Sequence, residues 1–258
     1  MEDRYAAVQR LARAERDRIR DAFASEIRAE HKSARDLVTA LDQDIERTLV
    51  DAIRDAYPDD AICGEEHGAR SGSSGFEWVI DPIDGTGNFV HGIPLFSVSI
   101  ACLRDGVPLF GIVYDPIADS CYAASEAAVL DGEPIAPSER TLKDAFVTFC
   151  HSTSTEGIRA ISTIYEQMKL DTYDFRKLGS ANLEICMVAS GKVSAFVGYE
   201  IKPWDFIPGC IIAERAGCAV TGFSGEDWRD PDVRSVLVAE PGLHEELLAR
   251  VEGLTSRT

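Results

Sequence analysis

The segment WVIDPIDGTGNF, residues 78–89, joins an apolar run to two carboxylates, Asp81 and Asp84, that flank Pro82 and Ile83 and lead into Gly85, Thr86 and Gly87. Two carboxylates at this spacing across a proline turn can share one hard divalent cation, with a backbone carbonyl between them as a further oxygen ligand. The small residues that follow leave backbone N–H groups open, a nest suited to a phosphate oxygen. Taken alone, the segment reads equally well as an Asx-rich surface turn. Three further acidic motifs bear on that choice. Glu65 and Glu66 in CGEEHG follow a short apolar run and lie between glycines, where paired carboxylates serve no evident packing. Asp42 in TALDQD stands near the start of a helix and Asp205 in KPWDF at an expected N-cap, so helix stabilisation or capping accounts for each by itself. Together, and in this order, the motifs point to oxygen-ligated metal chemistry.

Composition narrows the partners. With 44 acidic against 26 basic residues the formal charge is -18, and no Lys/Arg block is present to neutralise phosphates. Nucleic acid and anionic membranes are thereby excluded as expected partners. A phosphorylated small molecule could bind only where cations reverse the local sign. The seven cysteines are scattered and form no CxxC pair, which suits buried free thiols rather than zinc. No apolar run approaches a membrane span and the segment MEDRYAAVQR lacks a signal-peptide pattern, so the expected location is cytoplasmic.

The elements that must position these residues can be read from periodicity. Val8, Leu11, Ala12, Ile19, Phe23 and Ile27 describe an amphipathic helix over residues 4–28, and Leu41, Ile45, Leu49, Ile53 and Ala56 a second one stopped by Pro58. From about residue 60, short β-rich runs (FEWVID, LFSVSIACL, LFGIVYDP, SCYAAS) suggest an antiparallel sheet, with a loop over 69–75 and a tight turn at 131–134. Beyond 145, helical and strand-like runs alternate, including helices near 155–169 and from Asp205 to Ala216, as in an α/β half with some parallel pairing. The expectation is one domain over 1–258, an α/β (α+β) fold with sub-halves of about 1–140 and 141–258.

The chain resembles the inositol monophosphatase family of metal-dependent sugar phosphatases almost end to end. The resemblance lies in KSARDLVTALDQDIE, GEE, WVIDPIDGTGNFVHGIP, LGSANLEICMVASGK, and KPWDF followed by AERAG. It implies an αβαβα layered sandwich of the inositol monophosphatase/fructose-1,6-bisphosphatase type. It also implies Mg²⁺ as cofactor: one ion on Glu65, Asp81 and the Ile83 carbonyl, a second on Asp81, Asp84 and Asp205, and a third leaning on Glu65 near Asp42. By the same resemblance Thr86, assisted by Asp42 and Glu65, positions the attacking water, while the Gly85 and Thr86 amides hold the phosphate. Asp84, Ser152, Gly179, Ser180, Ala181 and Glu200 match substrate-side positions. The implied activity is hydrolysis of a small phosphorylated polyol, sugar or nucleotide directly by water, with a homodimer as the family expectation. The rivals are a related phosphatase of another small molecule and, from another class, a protein-interaction role in transcription complexes, as in some bacterial relatives. His67 and His91 flank the metal motifs without belonging to the implied ligand set.

Two departures concern substrate and helix geometry. Inositol-cleaving members carry a glutamate seven residues before the terminal aspartate, a position held here by Gly198, with Glu200 as the nearby substitute. That change predicts a weakened preference for inositol phosphate, recoverable by Gly198→Glu unless Glu200 already serves. Pro208 is expected in the first turn of the Asp205 helix, where its missing N–H costs little.

Overall fold

In the computed structural model, residues 2–25, 29–33 and 36–255 are described. Alternation of apolar residues with period two builds two sheets, and each face of each sheet meets helices. The first has eight strands in the order β10-β9-β8-β7-β6-β5-β3-β4. These are β3 (Ala61–Gly64), β4 (Gly68–Arg70), β5 (Phe76–Asp84), β6 (Ser97–Arg104), β7 (Val107–Asp115), β8 (Ser120–Ala124), β9 (Ala128–Leu130) and β10 (Glu133–Pro134). Neighbours pair antiparallel except β3 and β5, which run parallel. The second sheet has the order β12-β11-β13-β15-β14. It comprises β11 (Phe146–His151), β12 (Asp174–Arg176), β13 (Ala195–Tyr199), β14 (Ala219–Gly222) and β15 (Val236–Ala239), with β11 parallel to both β12 and β13. A separate hairpin joins β1 (Ala29–Ser33) to β2 (Asp36–Thr39).

The faces sort by residue. Trp78, Ile80, Ile100 and Ile112 of the first sheet pack with Val8 of α1 (Glu2–Ala14), Ile19 of α2 (Arg16–Phe23) and Ile45 and Leu49 of α3 (Ala40–Ala56). Val79, Ala101 and Val113, one residue out of phase, face α6 (Ala181–Ala189) and α7 (Pro203–Arg215). Phe196, Val236 and Val238 of the second sheet close that central layer from the other side. Val197, Leu237 and Ala239 face outward onto α5 (Thr155–Asp171) and α8 (Pro241–Thr255). The result is the expected αβαβα sandwich.

Three expectations need amendment. The helix over 4–28 is interrupted at Glu15, and its tail, Glu26–Arg28, lies outside the described residues, as do Ala34 and Arg35 of the entry motif. Helix α7, expected from Asp205, begins at Pro203, whose fixed φ and absent N–H suit the first helical position. Asp205 is therefore not the N-cap but the third residue, its carboxylate accepting the Lys202 N–H at 2.8 Å. Pro208 consequently sits in the second turn, where the carbonyl of Trp204 loses its usual partner.

Candidate active site

Residues 81 and 84 of a regular strand point to opposite faces, because three is an odd step. In β5 they do not. Asp81 pairs with Ser99 and Asp84 with Ser97, so two residues of β5, Pro82 and Ile83, oppose the single Val98 of β6. This bulge turns both carboxylates toward the central helices and places Ile83 among the apolar residues of the opposite face. Proline is tolerated there because a bulge leaves a ladder position unpaired.

The other ligand candidates arrive by neighbouring routes. β3 runs parallel to β5, so Glu65, one residue past its end, emerges beside Asp81, and its N–H donates to the Ile80 carbonyl at 3.3 Å. Glu46 of α3 fixes that loop: its buried carboxylate accepts the N–H groups of Glu66 and His67, each at 2.8 Å, and lies 3.0 Å from His67 Nδ1. A Cβ on Gly64 would meet Glu46 Oε1 at 2.3 Å, so a larger residue at this strand end would displace the carboxylate that holds the loop. Asp205 comes from the first turn of α7. Asp84 lies at the N-terminus of α6, accepting the N–H groups of Ala181 at 2.9 Å and Asn182 at 2.8 Å and the hydroxyls of Ser180 at 2.7 Å and Ser97 at 3.3 Å. A helix N-terminus favours a carboxylate by its dipole as well as its donors.

Glu65, Asp81, Ile83, Asp84, Gly85, Thr86, Gly179, Ala181 and Asp205 all line one cavity of about 320 Å³. Asp42 stands just behind it: the Thr86 hydroxyl lies 3.0 Å from Asp42 Oδ1 and 3.1 Å from the Ile83 carbonyl. Asp42 is the third residue of α3 in a capping box with Thr39. Burial raises its carboxyl above the ordinary value although the Thr39 and Thr86 hydroxyls oppose the shift. Ser180 is buried with its hydroxyl committed to Asp84, so it supports a carboxylate instead of facing the cavity. Ser152 and Glu200 do not line the cavity. Their side chains meet each other at 3.4 Å, and Glu200 borders a separate acidic depression with Glu226 and Asp230. Gly198 is inside β13, where a Cβ would lie 2.6 Å from Ile201 Cδ1 and 3.0 Å from Phe196. A glutamate there meets core and not substrate, which removes the basis for Gly198→Glu.

Several wall residues carry no sequence signal of their own. His151, Thr153, Lys177, Cys150 and Asn88 line the same cavity. His151 Nδ1 is 2.7 Å from the Ser152 carbonyl, leaving Nε2 to accept from Lys177 Nζ at 3.5 Å. Burial, joined by the adjacent Lys177 charge, keeps this imidazole below its ordinary pKa and therefore neutral. His67 and His91 play no such part: one is held by Glu46 and the other lies exposed, its Nδ1 2.8 Å from the Gly87 carbonyl. Asn88 Nδ2 donates to the carbonyls of Leu95 and Leu178, each at 2.8 Å, clipping the Gly179 loop against the start of α4 (Thr86–Val90). Glu184 accepts the Gly179 N–H at 2.7 Å, and burial pushes its carboxyl up to about 8. Gly85 (φ 103°) and Gly179 (φ 98°) meet back to back, a Cβ on Gly85 lying 2.9 Å from the Gly179 carbonyl. One signal could have found Glu46: a charged residue one turn after Asp42 within the apolar stripe of α3.

The electrostatics single out Asp81. Burial raises its carboxyl well above the ordinary value, and the charges of Glu65, Asp84 and Asp205 raise it further. Asp84 is pushed up to about 6 by burial in spite of its four donors. Asp81 Oδ1 is buried and has no hydrogen-bond partner among the described residues. Among those residues no group of three or more acidic, histidine or cysteine side chains is arranged to hold a metal ion, so the carboxylates line the cavity without forming a ligand cluster. An all-oxygen set with room for water is what Mg²⁺ takes, since it uses one or two carboxylates and keeps several waters.

The comparisons agree with that geometry. The model of the inositol monophosphatase family matches residues 1–256. The chain belongs to the inositol monophosphatase family. A Thermotoga maritima protein titled fructose-1,6-bisphosphatase/inositol-1-monophosphatase is 38% identical over 195 residues, 75% of this chain and 74% of that one. A Pasteurella multocida protein titled Nus factor SuhB is 37% identical over 199 residues, covering 75% and 74%. Among solved structures, an IMPase of Thermotoga maritima superposes with a TM-score of 0.89 at 32% identity, covering 99% of both chains.

Proposed function

We propose that this protein is a Mg²⁺-dependent phosphomonoesterase acting on a small phosphorylated polyol or sugar. The observation that carries the reading is Asp81: a buried carboxylate oxygen without a hydrogen-bond donor among the described residues, under the charges of three further carboxylates, Glu65, Asp84 and Asp205. A cation at this point reverses every unfavourable interaction there. Glu65, Asp81 and the Ile83 carbonyl would hold one ion and Asp81, Asp84 and Asp205 another. Bound Mg²⁺ would supply Lewis acidity toward the phosphate and acidify a coordinated water.

The chain's own residues do the rest. Asp42 accepts from the Thr86 hydroxyl, which leaves the Thr86 lone pairs to hold an attacking water in place. Glu65, beside Asp81 at the ends of the parallel pair, receives the proton that this water gives up. The Gly85 and Thr86 amides orient the phosphate, and the close approach of Gly85 to Gly179 keeps that wall narrow. Lys177, the single lysine or arginine lining the cavity among the described residues, favours substrates with a second anionic group. This accords with the bisphosphatase wording in the name of the Thermotoga maritima relative. The test is phosphate release from a panel of inositol, sugar and nucleotide mono- and bisphosphates, in Mg²⁺ and then in chelator. Release that persists undiminished in chelator would overturn the reading.

A further inference from the structure

Helix α7 carries Asp205 in its first turn and a proline three residues later. Pro208 has no N–H, so the carbonyl of Trp204, one residue before Asp205, lacks the donor that a regular helix supplies. Asn182 supplies it instead. Its Nδ2 donates to the Trp204 carbonyl at 2.8 Å, and its Oδ1 accepts the Gly209 N–H at 2.9 Å. One fully buried amide thus spans the break, with Asp205 between the two repaired positions. The same residue reaches the other half of the site, because its backbone N–H donates to Asp84 Oδ2 at 2.8 Å. α6 can lie this close because residue 209 is glycine: a Cβ there would be 3.0 Å from Ile185 and 3.2 Å from Asn182 Oδ1.

We infer that Asn182 is a positioning residue that sets the separation of Asp84 and Asp205, holding the first by its main chain and the second through the proline break of α7. The inference rests on the reading that these two carboxylates share a Mg²⁺ ion. Without the Asn182 side chain, the half-buried Trp204 carbonyl loses the donor that replaces the missing Pro208 N–H, and the peptide preceding Asp205 is released to rotate toward another partner. That rotation moves a ligand carboxylate without altering any ligand.

The experiment is a double-mutant cycle on the full chain, read by Mg²⁺ titration calorimetry on chelator-stripped protein and by melting temperature in chelator. Asn182→Ala should weaken Mg²⁺ binding about 10-fold, as loss of an outer support of a metal ligand commonly does. Pro208→Ala returns an N–H to the Trp204 carbonyl and should leave binding unchanged on its own. In that background, Asn182→Ala should weaken binding by no more than about 2-fold, a non-additivity that a role in stability alone does not produce. If Asn182→Ala does not fold, Asn182→Leu keeps the volume without adding charge, removes both side-chain bonds, and should be rescued in the same way, because Pro208→Ala restores the regular helical partners. Equal losses in both backgrounds, or a lower melting temperature with Mg²⁺ affinity unchanged, would overturn the inference while leaving the site reading intact. Absence of Mg²⁺ binding by the unmodified protein would overturn both.

Discussion

Asp60, the residue before β3, and Asp81, in the neighbouring β5, are buried to nearly the same degree, 3% and 1% exposed, yet their surroundings are opposite. Asp60 accepts from Ser74 Oγ at 2.7 Å, Trp78 Nε1 at 2.9 Å and Arg4 Nε at 3.2 Å, and the Arg4 guanidinium is itself held 4.0 Å from the rings of Tyr57 and Phe76. Burial alone would raise its carboxyl, but Ser74, Arg4 and Trp78 together bring it below the ordinary value. Asp81 has carboxylates for neighbours and, among the described residues, an oxygen with no donor. The chain supplies a cation to the first carboxylate; on the proposed reading, the second takes one from solution. Burial by itself does not distinguish them.

The largest expected effect breaks the site side of this contrast. Asp81→Asn should lower Mg²⁺-dependent turnover by about 10³-fold or more, a loss of about 4 kcal/mol in transition-state stabilisation. In chelator the same variant should be more stable than the parent by on the order of 1–3 kcal/mol, because the amide removes either like-charge repulsion or the cost of protonating the acid. Denaturant titration in chelator checks the sign; a destabilised variant would contradict the account of Asp81. Next, Thr86→Ala should lower kcat by about 10²-fold while changing Mg²⁺ affinity less than about 3-fold, since the hydroxyl places water and not metal. Parallel turnover and calorimetry would separate those two outcomes.

The packing side should respond in the opposite sense. Asp60→Asn should destabilise the protein by about 1–3 kcal/mol through the lost charge-assisted bonds, with turnover within about 2-fold of the parent. The two carboxylates also sort by pH. The folded pKa of Asp84, about 6, lies above its ordinary 3.8, so its stabilising contribution is complete below the lower value and is lost as pH rises through the upper. For Asp60 the folded value is depressed, and its contribution is present above the ordinary 3.8 and lost as pH falls. In chelator, unfolding free energy should therefore decline between about pH 4 and 7, with Asp81 and Glu184 adding in the same direction, and saturating Mg²⁺ should reduce the decline by the share of Asp81 and Asp84 while leaving that of Glu184. The smallest effect is expected at the wall: Lys177→Ala should raise KM about 5- to 10-fold for bisphosphates and leave monophosphates little changed, as for loss of one partly solvated charge contact. Equal changes for both classes would remove Lys177 from any role in selection.

Much of the site was legible in the sequence because its chemistry comes in contiguous runs. DPIDGT, GEE and WD each carry their carboxylates beside the turn or helix start that presents them, and the period-two runs announced both sheets. What stayed hidden depends on residues remote in the chain. Asn182 acquires its role only when α6 lies against residues 204–209, and Glu46 only when the loop after Gly64 folds over α3. His151 and Lys177 look like ordinary polar residues until β11 and the segment before α6 bring them to one wall. Gly198 misled for a related reason. Counting back from Asp205 assumes a connection of fixed length, and here that count falls inside β13, while Glu200, at φ 50°, turns the chain away. The proline of α7 was placed one turn too early because the helix start was set at Asp205, and Pro203 had already begun it.

The bulge at Pro82 and Ile83 separates the number of residues between the two aspartates from the direction in which they face. Removing one of the two would leave Asp81 and Asp84 an even step apart on a regular strand, still opposite Ser99 and Ser97 and still facing the same way. What would be lost is one of the peptide carbonyls between the carboxylates. The bulge therefore adds an oxygen while the two carboxylates keep a common facing, and substitution of Ile83 by another apolar residue, which supplies the same backbone carbonyl, acts as a fine adjustment.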